Sequence, residues 1–465
     1  MKDIKLKGYI NFNSKGYTFI YENQTLKLIG VKPDTGYCFD QEIVQVEYFE
    51  GFLITGNNII FYINNKLICE NNCYTCKPRA ILVFKNNSEN IKGIEFDAIS
   101  FTGGCLNQFY SNRDIIEYGK HEWIKSNKDR VIKIKNIEKS IATENINISG
   151  TDIKCEFSIN SPSIQDNGSI SIGEINTLLR MSANDGFNHN FAFVMLGKID
   201  RLFSFLSNMK DIKFSRIVLE KYNREKKYES LVEIFIPYMI DNEISKNTFT
   251  YELIKGKLNE LIKTLDECEY LFNIIPTNHN EQEFITPKEY CSMFSCFQSL
   301  YSNNSSNIIK NNELENETMK KKENDLEEIK NEIIEELKKI DNGYKDKNKN
   351  KNKKDFIKSF ENIINSSSLK LEKQIIESIK YSEISNENLK FIIGEENINI
   401  SDIICKGIET RDILTHNRMV KLDKNCIITY KILKILNFIL VLKGIGVDRK
   451  ELEKQIIYLS NGDII

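Results

Sequence analysis

Near residue 240 the spacing of apolar residues along this chain changes from two to between three and four, and that change constrains the fold more than any other feature. A period of two puts alternate side chains on opposite faces of a strand, whereas a period near 3.6 gathers them on one stripe of a helix. Before the change come Ile4, Leu6, Ile10 and Phe12, then Ile81 and Val83, then Ile153, Cys155, Phe157 and Ile159, then Ile170 and Ile172. Turn-forming groups such as Asn13-Ser14-Lys15-Gly16, Gly56-Asn57-Asn58 and Asp166-Asn167-Gly168 separate these runs, so half-buried antiparallel strands are predicted. One segment departs from the pattern. Phe191, Val194, Met195, Ile199, Leu202, Phe203 and Leu206 recur at helical spacing and predict a helix packed against the sheets.

Beyond the change, Leu326, Ile329, Ile333, Leu337 and Ile340 form a stripe opposed by Glu and Lys. Residues 345–354 alternate Lys with Asn and Asp, which predicts a loop between helices. Phe356, Ile357, Phe360, Ile363 and Ile364 mark another helix, and Ser366-Ser367-Ser368 offers caps for one through Leu371, Ile375, Ile376 and Ile379. Ser401 can cap the next, and the apolar run 427–442 supplies its long partner. Helices with short connections make a bundle. At 465 residues the chain exceeds what one core normally serves. The expected fold class is therefore α+β. A β-rich N-terminal domain with one or more packed helices spans 1–240, a helical connector 241–300, and a C-terminal α-helical bundle 301–465.

Composition narrows the function. A formal charge of −2 with 28% charged residues excludes a protein that coats nucleic acid through bulk positive charge, so any polyanion is met locally. The first residues, Met1-Lys2-Asp3-Ile4-Lys5-Leu6-Lys7, carry no apolar signal core. The stretch 427–446 is interrupted by Lys431, Lys434, Asn437 and Lys443, which suits a mostly buried helix and argues against a membrane span. A cytoplasmic protein follows, in which the eleven cysteines are reduced thiols.

Chemistry concentrates in Arg411-Asp412-Ile413-Leu414-Thr415-His416, which places a guanidinium, a carboxylate and one of only four histidines within about two helical turns. Arginine can hold a phosphate through its planar fork of donors, and histidine can move protons near neutral pH. These groups are candidates for cutting RNA without a metal. The bland alternative is that Arg411 and His416 cap and solvate a helix end. Residues five apart on a helix lie about 140° apart, so the two cannot both point straight at one phosphate. Either the helix end frays, or a twofold axis pools two copies of the motif in one cleft. Arg418, Lys421 and Lys424 follow and are candidates to guide an RNA backbone, or are simply solvated charges.

A helical bundle carrying Thr410-Arg411-Asp412-Ile413-Leu414-Thr415-His416-Asn417 resembles the HEPN ribonucleases, most closely the ApeA-like branch associated with abortive infection and phage resistance. Ile99-Ser100-Phe101-Thr102-Gly103-Gly104 with Leu106-Asn107-Gln108-Phe109 is similar to a segment of the β-rich domain that precedes HEPN in that branch. The resemblance implies a homodimer formed through the bundle, RNA as substrate with tRNA among the possibilities, and a β-rich domain that senses a phage-derived trigger. The chemistry available points to His416 for acid or base work and Arg411 on the phosphate, with Asp412 orienting either side chain or positioning the helix. The 2′-hydroxyl would attack, leaving 2′,3′-cyclic phosphate and 5′-hydroxyl ends without a metal or other cofactor. A non-catalytic interaction or sensor protein whose bundle dimerises remains the alternative.

A second motif, Cys69-Glu70-Asn71-Asn72-Cys73-Tyr74-Thr75-Cys76, has the CxxxCxxC spacing of radical SAM enzymes. It sits between strand patterns rather than in a (β/α) barrel, and Thr75 stands where an aromatic is usual. Three possibilities stay open: core thiols in a hairpin, zinc with Cys105 or His121 as fourth ligand, or an iron–sulfur cluster. His189 is expected to enter a helix, and His121 to pack beside Trp123.

Overall fold

The computed structural model describes residues between 4 and 313 and between 367 and 453; among the segments it does not describe are 31–42, 111–115, 119–131, 238–248, 314–366 and 417–420. The predicted helices around 326–340 and 356–364, the loop 345–354, His121, Trp123 and Arg418 lie outside the described residues. The chain divides into two compact units, one of residues 1–263 with 275–278, the other of 264–274 with 279–465.

The first unit holds a large antiparallel sheet. Its N-terminal strands are β1 (Leu6–Phe12), β2 (Lys15–Glu22), β3 (Thr25–Gly30), β4 (Ile43–Val44), β5 (Tyr48–Leu53), β6 (Asn58–Ile63), β7 (Leu67–Glu70), β8 (Cys73–Cys76), β9 (Pro78–Phe84) and β10 (Phe96–Thr102). Two small hairpins intervene, β11 (Ile116–Tyr118) with β12 (Ile132–Ile134), and β15 (Ile164–Asp166) with β16 (Ile170–Ile172). The remaining strands are β13 (Ala142–Ile148), β14 (Thr151–Ile159), β17 (Thr177–Phe187), β18 (Arg216–Tyr222) and β19 (Tyr228–Phe235). Across the sheet they run β13-β14-β17-β10-β18-β19-β9-β6-β5-β1-β2-β3-β8-β7-β4.

Alternation explains the flanks. In β14, Ile153, Cys155, Phe157 and Ile159 are buried while the residues between them are at least partly exposed. The inner strands β6 and β9 are buried on both faces and read as continuous apolar runs. One face is covered by the helix α2 (His189–Ser207), introduced by a short helix α1 (Leu106–Phe109) earlier in the chain. Phe203 of α2 meets Phe109 and Phe214 edge-on, and Phe193 meets Tyr62 at 4.5 Å between ring centroids. On the other face the strands from β1 to β9 curl around Phe19, Leu26, Leu28, Phe49, Phe61 and Ile81. Gly8 and Gly51 permit the bend, because a Cβ at Gly8 would fall 1.9 Å from Phe52 O and one at Gly51 2.5 Å from Tyr9 O.

The segment singled out around Gly103 is a junction. Its backbone turns through positive φ at Gly103 and Gly104, and a Cβ on Gly103 would lie 2.3 Å from Ser215 Oγ. Asn107 then accepts from Thr177 N–H at 2.7 Å and donates to Asn176, tying α1 to the start of β17. On the sheet face away from α2, Glu220 is nearly buried; it accepts from Ser100 Oγ at 2.5 Å, from Arg180 Nε at 3.1 Å and from Tyr222 Oη. Arg180 also reaches Glu156, which pairs with Lys154.

The helix α3 (Tyr251–Ile254) completes the first unit, and the division between units falls inside α4 (Leu258–Glu267). The second unit is helical: α5 (Glu269–Ile274), α6 (Pro287–Glu313), α7 (Ser367–Ser382), α8 (Ile400–Thr415) and α9 (Lys424–Gly444). A separate connector over 241–300 is not what forms. Residues 249–263 belong to the sheet unit, and α6 runs uninterrupted through the expected boundary at 300 because Tyr290, Met293, Phe294, Phe297, Leu300 and Tyr301 keep one buried stripe.

α9 is the core helix of this unit and packs against α6, α7 and α8. It is the one helix among the described residues long and apolar enough to cross a membrane, and 72% of that apolar window is buried inside the protein. Lys431 and Lys434 lie at its partly exposed edge, while Asn437 is fully buried, donating to Met293.

Candidate functional site

The helix α8 carries the Arg-Asp…His motif, and its own sequence sets its limits. Asn399 is the N-cap, its side chain accepting from Ser401 N–H at 3.2 Å and donating to Asp402 at 2.9 Å. Ser401 therefore does not cap the helix as expected. It lies two residues beyond the cap, and its hydroxyl donates to Glu372 of α7. Ile403, Ile404, Gly407 and Ile408 form the buried stripe.

Two contacts lock this stripe in place. Tyr290 Oη on α6 donates to the carbonyl of Gly407 at 3.0 Å, and Thr429 Oγ1 on α9 donates to the carbonyl of Ile403 at 3.2 Å. At Gly407 α8 lies close against α9. A Cβ there would meet Thr429 Oγ1, Cγ2 and Cβ at 2.4, 2.7 and 2.8 Å. The last turns of α8 thus follow directly on these contacts.

Arg411 is mostly buried, its side chain 19% exposed, and its Nη1 holds Asp412 Oδ1 at 2.8 Å. Both charges act on Cys291 in the first turns of α6. Burial pushes that thiol up, Arg411 pulls it down and Asp412 pushes it up again. A carboxylate near a helix C-terminus opposes the helix dipole, so Asp412 depends on Arg411 for compensation. Only one guanidinium nitrogen is engaged in the pair, which leaves donors for a second acceptor.

His416 is the C-cap. Its backbone N–H bonds Asp412 O and Leu414 O, while its exposed imidazole has no hydrogen-bond partner among the described residues. Within one chain the motif therefore brings Arg411 and Asp412 together and leaves His416 apart, in keeping with the angular offset along the helix. Lys421 and Lys424 are exposed on the segment leading into α9, whose N-cap is Asp423. The Asp423 carboxylate accepts from Cys426 N–H at 2.9 Å, and this bond holds its pKa below the ordinary value. Neither the Tyr290 and Thr429 anchors nor the neighbouring Cys291 was a sequence candidate. The one signal for them was a glycine, Gly407, interrupting an otherwise good helix.

The cysteine motif forms a hairpin, β7 pairing with β8 so that Cys69 stands opposite Tyr74. Cys73 and Cys76 are three residues apart on one strand and so occupy opposite faces of the sheet. They cannot close on a common ion, which removes both the zinc and the iron–sulfur readings of the triad. Cys76 belongs to the core, where burial pushes its thiol up to about 12. His189 opens α2 behind its Asn188 cap, with its ring against Tyr62 and its pKa lowered by burial.

No protein-family model matches the chain, and no curated protein or solved structure matches it.

Proposed function

We propose that this chain is a HEPN-type, metal-independent endoribonuclease of an ApeA-like abortive-infection system, acting in the cytoplasm as a homodimer. The observation that carries this reading is the end of α8, where a guanidinium already positioned by Asp412 and an imidazole free of described partners stand within two turns of each other. In the proposed reaction His416 takes the proton from the RNA 2′-hydroxyl or delivers one to the leaving 5′-oxygen. Arg411 neutralises the charge that builds on the phosphate, and Asp412 fixes its direction. The products are a 2′,3′-cyclic phosphate and a 5′-hydroxyl.

Two copies are part of the proposal. A mostly buried Arg411 and an exposed His416 on one helix do not face one phosphate, whereas a twofold axis beside α8 gives each phosphate an arginine and a histidine. Exposed Ile413 and Ile427 offer apolar surface for such a contact. Lys421 and Lys424 are then placed to follow the backbone of the substrate, for which tRNA is one candidate. The sheet unit is assigned the regulatory role, receiving a phage-derived trigger.

The test is incubation of wild type, Arg411→Ala and His416→Ala with total RNA in EDTA, followed by mapping of the ends and by sedimentation of each protein. Wild type is expected to sediment as a dimer and to leave cyclic phosphates, with losses of about 10²-fold or more in each variant. Cleavage that requires added divalent metal, or that survives both substitutions, would overturn the proposal.

A further inference from the structure

The sheet face that α2 covers does not end where α2 ends. Register pairs carry one face continuously from Phe157 through Leu179, Phe101, Ile217, Ile234 and Leu82 to Ile60 of β6. Beyond β6 the same face continues over β5, β1, β2 and β3, where it is open. Phe52, Tyr9, Thr18 and Ile29 are successive cross-strand neighbours there, one per strand. Phe52 is 55%, Tyr9 59% and Ile29 43% exposed. Aromatic residues are usually buried or partnered, and here two lie side by side in solvent in the middle of a sheet.

The next row toward the start of β1 carries lysines, while on the other side of the Tyr9–Phe52 pair the same face of β5 carries Glu50. Lys7 is opposite Ile20, and Ile20 is opposite Lys27. At the edge of this row Lys5 pairs with Glu22 at 2.8 Å, and Lys5, Lys7 and Lys27 together hold the Glu22 carboxyl below its ordinary pKa. Three lysines around one carboxylate leave net positive charge, and all three are exposed. Lys7 is two residues from Tyr9, as Lys27 is from Ile29, which sets cation and apolar platform about 7 Å apart. That is about the separation between a phosphate and the base it carries.

We propose that the open face of β1, β2, β3 and β5 binds single-stranded nucleic acid, with bases stacked on Tyr9 and Phe52 and phosphates met by Lys7, Lys27 and Lys5. A protein partner would find lysines where interface cores avoid them. A lipid surface calls for apolar groups that project, whereas this row lies within the span of the strands. A polyanion with flat apolar bases answers both rows. In this chain of near-neutral net charge, the site is the local meeting point that a polyanion requires.

The test is fluorescence anisotropy of the full-length protein with a fluorescein-labelled oligothymidylate of about 16 nucleotides. DNA serves because it lacks the 2′-hydroxyl and cannot be consumed by the proposed nuclease. Wild type is expected to bind; Tyr9→Phe should bind equally, and Tyr9→Ala with Phe52→Ala should weaken binding by about ten-fold or more, with an unchanged circular dichroism spectrum. Lys7→Gln and Lys27→Gln should each flatten the dependence of log K on log salt by about 0.7. His416→Ala should bind like wild type, so this proposal and the nuclease reading fail separately. No binding at low salt, equal affinity for a duplex of the same length, or binding unaffected by the double alanine variant would overturn it. Cosedimentation with phosphatidylserine vesicles in place of oligonucleotide binding would overturn it as well.

Discussion

Replacing glycine by alanine at two helical positions of this protein is expected to move stability in opposite directions. In an exposed helix interior the change normally stabilises by about 1 kcal/mol, since alanine restricts the unfolded chain and suits the helix. Gly197 in α2 meets that condition, because a Cβ there finds nothing within 4 Å. Gly197→Ala is expected to stabilise the sheet unit by up to about 1 kcal/mol. Gly407 does not meet it. Its new methyl would lie under 3 Å from three atoms of Thr429, a β-branched side chain that cannot swing all three away. Overpacking of this kind costs about 1–3 kcal/mol, and shifting Thr429 also loosens its bond to Ile403 O, worth about 1 kcal/mol. Set against the propensity gain, Gly407→Ala should destabilise the helical unit by about 1–3 kcal/mol. Urea unfolding followed by far-ultraviolet circular dichroism measures both changes, and Gly407→Ala with Thr429→Ala should recover part of the loss by removing two of the three contacts. A stabilised Gly407→Ala protein would refute the close approach of α8 and α9 as the reason for the glycine.

Asp412→Ala should leave stability within about 1 kcal/mol, since a partly exposed pair contributes little, yet lower the proposed RNA cleavage by about 10²-fold through loss of the hold on Arg411; a large loss of stability alongside the loss of activity would show a structural role instead. Asp423→Ala should cost about 1 kcal/mol at neutral pH through loss of the α9 cap. Because the folded carboxyl titrates below its unfolded value of 3.8, that contribution is complete above the unfolded pKa and disappears as pH falls through the folded one. Wild type and Asp423→Ala should therefore converge in stability on acidification, and a gap that persists in acid would count against the cap. Glu220→Ala should cost about 3 kcal/mol by leaving Arg180 without its nearly buried partner, and a melting temperature equal to wild type would refute that dependence.

The strands and the helix α2 were legible because alternation and the 3.6 period are local properties of the chain. So was the helical character of the C-terminal half. The domain boundary was not, since α6 crosses residue 300 with no break in its apolar stripe and the division depends on which partners each helix finds. The cap of α8 was misplaced by two residues. Asn399 and Ser401 are both competent caps, and the choice was made by Glu372, which takes the Ser401 hydroxyl from another helix. The motif residues could be named from sequence, and the angle separating Arg411 from His416 followed from helix geometry alone. The pairing of Arg411 with Asp412 beside Cys291 required the packing of α6 against α8. The cysteine spacing misled because a strand sends Cys73 and Cys76 to opposite faces, whereas a loop would have let them converge. The aromatic row at Tyr9 was invisible for a different reason: Phe52 and Ile29 become its neighbours only through strand pairing, with no period to announce it.

The order of strands in the sheet also dictates a timetable for biosynthesis. β9 lies between β6, which emerges from the ribosome before it with β7 and β8 in between, and β19, whose Glu233 pairs with Val83 about 150 residues later. At roughly 5–20 residues per second the growing chain shows the bare hydrogen-bonding edge of β9 for on the order of ten seconds or more. That edge is Ile81, Leu82, Val83 and Phe84, an apolar run whose only nearby charges are the flanking Arg79 and Lys85, the latter also bonded to β19. The nascent N-terminal half is thus a natural client for a chaperone on the ribosome. Its deepest kinetic hazard is strand pairing with a neighbouring nascent chain, and slowing translation between β9 and β19 should lower the yield of soluble protein.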